Sequence, residues 1–239
     1  MFTTEHFIWL ALCAAFVAGM LVFSVKKNIS MKVAGYIMTV ICAFSEISKI
    51  MCDMEKSPEG GMFLDPSSLP FHLCSLMLFG VLYITFGNDG DGKQTVIDFI
   101  GVAGIIGGVC ALLIPTNGVD FSKIQAYQCF VYHAGLVWFA MYLIATKKTR
   151  PGVKTFGKNL VLLMALVLGM LYVNSVLSEY NTNFMYLVRP PMDDLPYLNL
   201  NEGWYVYFIR LIILGIVIIT LFHLPFIIRE RIAKKKANK

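Results

Sequence analysis

Residues 7–25, FIWLALCAAFVAGMLVFSV, run for a membrane thickness without one charged side chain. A helix rises about 1.5 Å per residue, so about 20 apolar residues cross a hydrocarbon core of about 30 Å, and this stretch has that length. It follows Met1-Phe2-Thr3-Thr4-Glu5, with no basic n-region and no convincing cleavage site, and so reads as a helix rather than a secretory signal. Similar stretches recur near 33–52, 71–86, 95–114, 125–145, 159–178 and 204–228, the one at 71–86 being the shortest. Hydrophobic residues make up 57% of the 239 positions and charged ones 15%, and mean hydropathy is +0.68, the balance of a polytopic membrane protein. The expected fold is all-α: a bundle of seven transmembrane helices forming one membrane domain over 1–239, since the loops are too short for a separate soluble domain.

The net charge of +5 is not a nucleic-acid footprint, because of where the cations sit. Lys26, Lys27 and Lys32 occupy one loop; Lys147, Lys148, Arg150, Lys154 and Lys158 occupy another; Arg229, Arg231, Lys234, Lys235, Lys236 and Lys239 form the tail. The 53–70 and 179–203 loops are net acidic. Only the 87–94 loop, with Asp89, Asp91 and Lys93, fails to support this alternation. The pattern is the positive-inside one and predicts an outer amino terminus and a cytoplasmic carboxyl terminus in a multi-pass protein of the cell membrane. The aspartates and glycines of 87–94 lack the later carboxylate of a calcium loop and read as a solvated turn. Six cysteines (Cys13, Cys42, Cys52, Cys74, Cys110, Cys129) fall in apolar spans with no C-x-x-C pair, so neither a metal site nor a redox centre is expected. Nothing forms a nucleotide motif, and no cofactor is implied. In the fourth span Gly104 and Gly108 have the small-xxx-small spacing of closely packed helices, and Pro115-Thr116-Asn117-Gly118 ends that span as a turn.

Polar groups inside membrane helices are costly and mark sites by default. Five spans deliver such groups to one outer-half layer. Cys74 lies about 6 Å below the start of span three, His133 about 12 Å into span five, and Glu46 about 9 Å from the end of span two. Asn174 lies about 6 Å from the outer end of span six and Arg210 about 9 Å into span seven. Leu69-Pro70-Phe71-His72-Leu73-Cys74 starts a helix, which puts the thiol at the positive end of the dipole, a placement suited to a nucleophile. His72, two residues away, falls on another face, so His133 is the natural base. Each residue also has a plain reading: Cys74 as a small buried side chain, His133 as an interhelical hydrogen bonder. Glu46 and Lys49 are one turn apart and can pair with each other, and Arg210 can pair with Glu46 or reach outward. Alternatively Lys49 and Arg210 hold a lipid phosphate while Glu46 orients a histidine. The aromatic segment from Tyr180 through Asn183 to Pro191 reads as a lid or acyl-chain guide at the interface.

Pro70-Phe71-His72-Leu73-Cys74, Pro115, Tyr132-His133, Asn174 and the Asn183-Phe184-Met185-Tyr186-Leu187…Pro190 segment together resemble the bacterial YwaF-like integral membrane proteins over nearly the full length. More distantly the chain resembles the transmembrane protein 164 acyltransferase family, whose members move fatty acyl groups between phospholipids through a cysteine and a histidine. That resemblance implies Cys74 as nucleophile and His133 as its histidine, and departs at Phe184, where a tyrosine is usual. It implies a phospholipid acyltransferase or acyl hydrolase whose partners are membrane phospholipids or lysolipids. The alternative on the same polar layer is a transporter or binding protein for a small amphiphile.

Overall fold

The computed structural model describes residues 2–56, 61–192 and 195–237. Glu59, Asp193, Asp194 and Lys239, which enter the loop and tail charge pattern, lie outside them. Among the described residues seven α-helices follow the expected spans: α1 (Thr4–Lys26), α2 (Met31–Asp53), α3 (Leu73–Phe86), α4 (Asp91–Leu113), α5 (Ile124–Ala145), α6 (Val153–Val176) and α7 (Trp204–Ala237). All but α3 are long and apolar enough to cross a membrane, so the chain is an integral membrane protein. Two elements depart from expectation. The loop after α2 carries a short antiparallel hairpin, β1 (Met54–Lys56) with β2 (Met62–Leu64), in register Met54 to Leu64. And α7 continues past 228 to Ala237, through Pro225, so the basic tail is helical; an ion pair of Lys234 with Glu230 (2.7 Å) braces its last turns.

Helix α5 is the hub. Ala126, Phe130, Leu136, Trp138, Phe139, Ala140, Tyr142 and Leu143 are all fully buried on it, whereas α1, α6 and α7 turn residues such as Phe7, Val161, Tyr172 and Ile209 outward, as lipid-facing helices do. The glycines of α4 explain its fit to α5. A Cβ on Gly104 would stand 3.1 Å from Ala140, and one on Gly108 would stand 2.6 Å from Val137 and 3.1 Å from the His133 carbonyl. The two backbones therefore approach as the spacing predicts. His6 ties α1 to the far end of α4: its Nε2 donates to the Leu112 carbonyl (2.8 Å) while Nδ1 accepts from the Phe2 amide (3.1 Å).

The end of the bundle with the basic loops is closed by a knot around Asp98, a buried ionisable residue within α4. Thr149 (2.8 Å) and Gln94 (3.1 Å) donate to its carboxylate, and the Asn159 amide reaches its backbone carbonyl (3.4 Å). His223, at that same end, donates from Nδ1 to the Ile219 carbonyl (2.9 Å) and packs on Phe156. Neither residue belongs to the site at the other end.

Candidate functional site

Helix α3 has 14 residues and is about 21 Å long, too short to fill the hydrocarbon thickness alone. The missing length is made up by the stretch from Asp65 to His72, irregular apart from one 3-10 turn at Pro66–Ser68, whose Phe71 and His72 pack on Phe184 of a strap formed by residues 183–191. Irregular backbone at such depth persists only where it is enclosed by protein or lines a cavity. Here it lines a cavity of about 740 Å³, and Cys74, His133, His72 and Lys49 all stand on its wall.

Cys74 is the second residue of α3. His72 is the N-cap, with extended backbone and no side-chain hydrogen bond to the helix end. The first-turn amides therefore have no cap from that residue and, as in any helix, no intrahelical acceptor. The Tyr132 hydroxyl donates to the Cys74 carbonyl, tying the turn that carries the thiol to α5. One residue further on α5, His133 places Nδ1 2.7 Å from the Cys129 carbonyl. A carbonyl only accepts, so Nδ1 carries the proton and Nε2 the lone pair. The Cys129 thiol is also 3.6 Å from Nδ1, but a nitrogen already donating its proton is no base for that thiol. Among the described residues His133 Nε2 has no hydrogen-bond partner, and Cys74 Sγ makes no hydrogen bond to it. The imidazole of His72 packs edge-on with Phe184 (centroids 5.7 Å apart) and at a tilt of 51° to Tyr186 (5.1 Å).

The remaining expected residues separate into two groups. Glu46 and Lys49 pair at 2.7 Å, the self-contained reading of the two, with the ammonium on the cavity wall. Asn174, Asn183 and Arg210 do not line the cavity. Both ends of the buried Asn174 amide are taken by Phe184, Nδ2 donating to its carbonyl (3.1 Å) and Oδ1 accepting from its amide (2.9 Å). Asn183 caps the strap: Oδ1 accepts from the amides of Val188 and Arg189 (3.1 Å each), and Nδ2 donates to the Arg189 carbonyl (2.9 Å). Arg210 pairs with Glu202 at 2.7 Å and lies over the Tyr197 ring, not with Glu46.

The strap is fixed from the other side as well. Trp204 Nε1 donates to the Leu187 carbonyl (2.9 Å), and the Tyr207 hydroxyl donates to that of Tyr186. Between these anchors Met185 and Tyr186 hold φ of 56° and 55°, the left-handed region that side chains other than glycine seldom adopt, and both line the cavity. Burial pushes the Tyr186 phenol above its ordinary range, so it stays a neutral hydroxyl.

Sequence reasoning missed a polar ladder on the opposite wall. Gln128 donates to the buried Ser45 hydroxyl (2.7 Å) and accepts from Asn117 (3.0 Å), linking α5 to α2 and to the turn after α4. The signal was present: Ser45 and Ser48 flank Glu46, and Gln128 lies five residues before His133, but short uncharged polar residues do not stand out in an apolar span. Among the described residues no group of three His, Cys, Asp or Glu is arranged to hold a metal ion.

A sequence model of the TMEM164 family matches residues 1–223. No curated protein and no solved structure matches the chain.

Proposed function

Because the chain belongs to the TMEM164 family, we propose that the cavity is the site of a phospholipid acyltransferase or acyl hydrolase working through a Cys74 acyl-thioester, in the half of the bilayer away from the basic loops. The observation that carries this reading is the joint exposure to one cavity of a thiol on the first turn of α3 and an imidazole whose lone pair is fixed on Nε2. His133 Nε2 takes the Cys74 proton as sulfur attacks the carbonyl carbon of an acyl ester. The C–S bond forms, and the C–O bond to the glycerol oxygen breaks as Nε2 returns the proton to that oxygen. The lysolipid leaves. The hydroxyl of an acceptor lysolipid, or water, then loses its proton to Nε2 and attacks the thioester; a new C–O bond forms, the C–S bond breaks, and the thiol regains its proton. The negative oxygen of each tetrahedral intermediate faces the first-turn amides of α3. Met185, Tyr186 and Pro191 of the strap line the same cavity and help keep water from the reacting groups.

A second reading, a carrier or binding protein for a small amphiphile, draws on one observation: the thiol and the imidazole share the cavity without a hydrogen bond between them. Liposomes reconstituted with the protein, a phospholipid donor and a labelled lysophospholipid separate the two. The enzyme reading expects labelled diacyl product or released fatty acid with the natural protein and none with Cys74→Ala or His133→Ala. Binding of labelled lysolipid that persists in Cys74→Ala, with no product from any of the three, supports the carrier and overturns the enzyme.

A further inference from the structure

The cavity has two chemically different walls. Helices α2 and α5 supply Ser45, Ser48, Lys49 and Gln128, while α4 supplies Gly107, Cys110 and Ala111, with Ile114 as its C-cap. Gly107 and Ala111, four residues apart, share one helical face, and with Ile114 beyond the helix end this wall runs about 10 Å from the level of the thiol toward the turn at Pro115.

Gly107 is unlike its neighbours. Side chains at Gly104 and Gly108 would collide with α5, and one at Gly101 with Thr149, so those glycines serve helix packing. A Cβ at Gly107 would meet, among the described residues, one atom within 4 Å: Cys74 Sγ, at 3.3 Å. The space that this glycine leaves open is therefore the space beside the sulfur, inside the cavity. An acyl carbon bonded to Sγ needs room on that side, and its chain then meets the apolar face of Ala111 and Ile114. The geometry points to Gly107 as the residue that admits the acyl chain at the nucleophile, and to the Gly107–Ala111–Ile114 face as the groove that sets which chain lengths are accepted. This assignment rests on the acyl-thioester reading above.

The test loads the full-length protein from vesicles of mixed decanoyl, myristoyl and oleoyl phosphatidylcholines and reads Cys74 acyl adducts by intact mass. Parallel samples are treated with methyl methanethiosulfonate, a small reagent that reports thiol access without needing the groove. Gly107→Ala is expected to keep methylthiolation within about twofold of the natural protein while acyl loading falls about tenfold, and Gly107→Val to lose about a hundredfold, the scale of a small misplacement at a reacting atom. Ala111→Leu narrows the groove further along, and should keep decanoyl loading while losing oleoyl. If Gly107→Val does not fold, Gly107→Ala and Ala111→Leu decide the matter. Loading of every chain at the natural level in both variants overturns the groove, as does parallel loss of methylthiolation and acylation in Gly107→Ala, which would mean that the Cβ blocks the thiol itself. A natural protein that takes methylthiolation but no acyl group overturns the thioester reading instead, and the groove with it.

Discussion

Replacing Asn174 by Ala tests whether the strap over the cavity is held rather than free. Asn174 is 4% exposed, and its amide makes two hydrogen bonds to the Phe184 backbone, at 2.9 and 3.1 Å. Phe184 is fully buried, so its amide has no solvent to turn to, whereas its carbonyl keeps a second donor in the Leu187 amide (3.3 Å). Leaving the amide unpaired costs about 1–3 kcal/mol. The same clamp opposes the left-handed backbone of Met185 and Tyr186, which costs about 1–3 kcal/mol at each position and relaxes once the strap lifts. Even the low end, about 1 kcal/mol, makes local opening about fivefold easier. Hydrogen exchange in lipid nanodiscs reads this directly: the amides of Phe184, Val188 and Arg189 should lose at least about fivefold in protection, while those in the middle of α5 should be unchanged. Unaltered protection across 183–189 would refute the clamp. An Asn174 that contributed to the oxyanion would show the opposite signature, a loss of activity with the strap as protected as before.

Three further perturbations follow from contacts elsewhere. Gly108→Val forces a side chain against Val137 and the His133 carbonyl, and should lower stability by about 1–3 kcal/mol in a thermal-unfolding assay in detergent, with Gly19→Val, which faces open space, as the neutral control. Tyr132→Phe removes the hydroxyl that donates to the Cys74 carbonyl and should cost about 1 kcal/mol in the same assay, with the largest gain in hydrogen exchange at the first turn of α3. For the Glu46–Lys49 pair, a double-mutant cycle of Glu46→Gln and Lys49→Met should show a coupling of about 0.5–3 kcal/mol, because both side chains are mostly buried; a coupling of zero would mean that each serves something else.

The helical plan was legible because membrane helices are set by the length of apolar stretches, and each α-helix overlaps the stretch read from the sequence. The span read at 71–86, the shortest, is a helix over Leu73–Phe86, and the residues just before it, Leu69 and His72, line the cavity, which apolar length alone does not indicate. Cys74, His133, His72 and Lys49, which share one cavity, were legible as candidates because cysteine, histidine and lysine are conspicuous in apolar sequence. Depth along a helix, however, says nothing of the direction in which a side chain leaves it. Asn174 and Arg210 share that layer and face other partners, the first serving the strap and the second the loop that carries Glu202. Gly107 and Gln128 are the reverse case. One acts by having no side chain and the other by linking two neighbours, and neither property shows until the helices are set side by side.

Cys74 as an acyl carrier is tested by the intact mass of the protein, purified after incubation with phospholipid and quenched in acid, alongside Cys74→Ala and His133→Ala. An acyl-thioester at Cys74 gives a fatty-acyl increment that maps to that residue, disappears with neutral hydroxylamine as a thioester must, and is absent from both variants. An unmodified natural protein under conditions where it turns over lipid, or an increment that survives in Cys74→Ala, would contradict it.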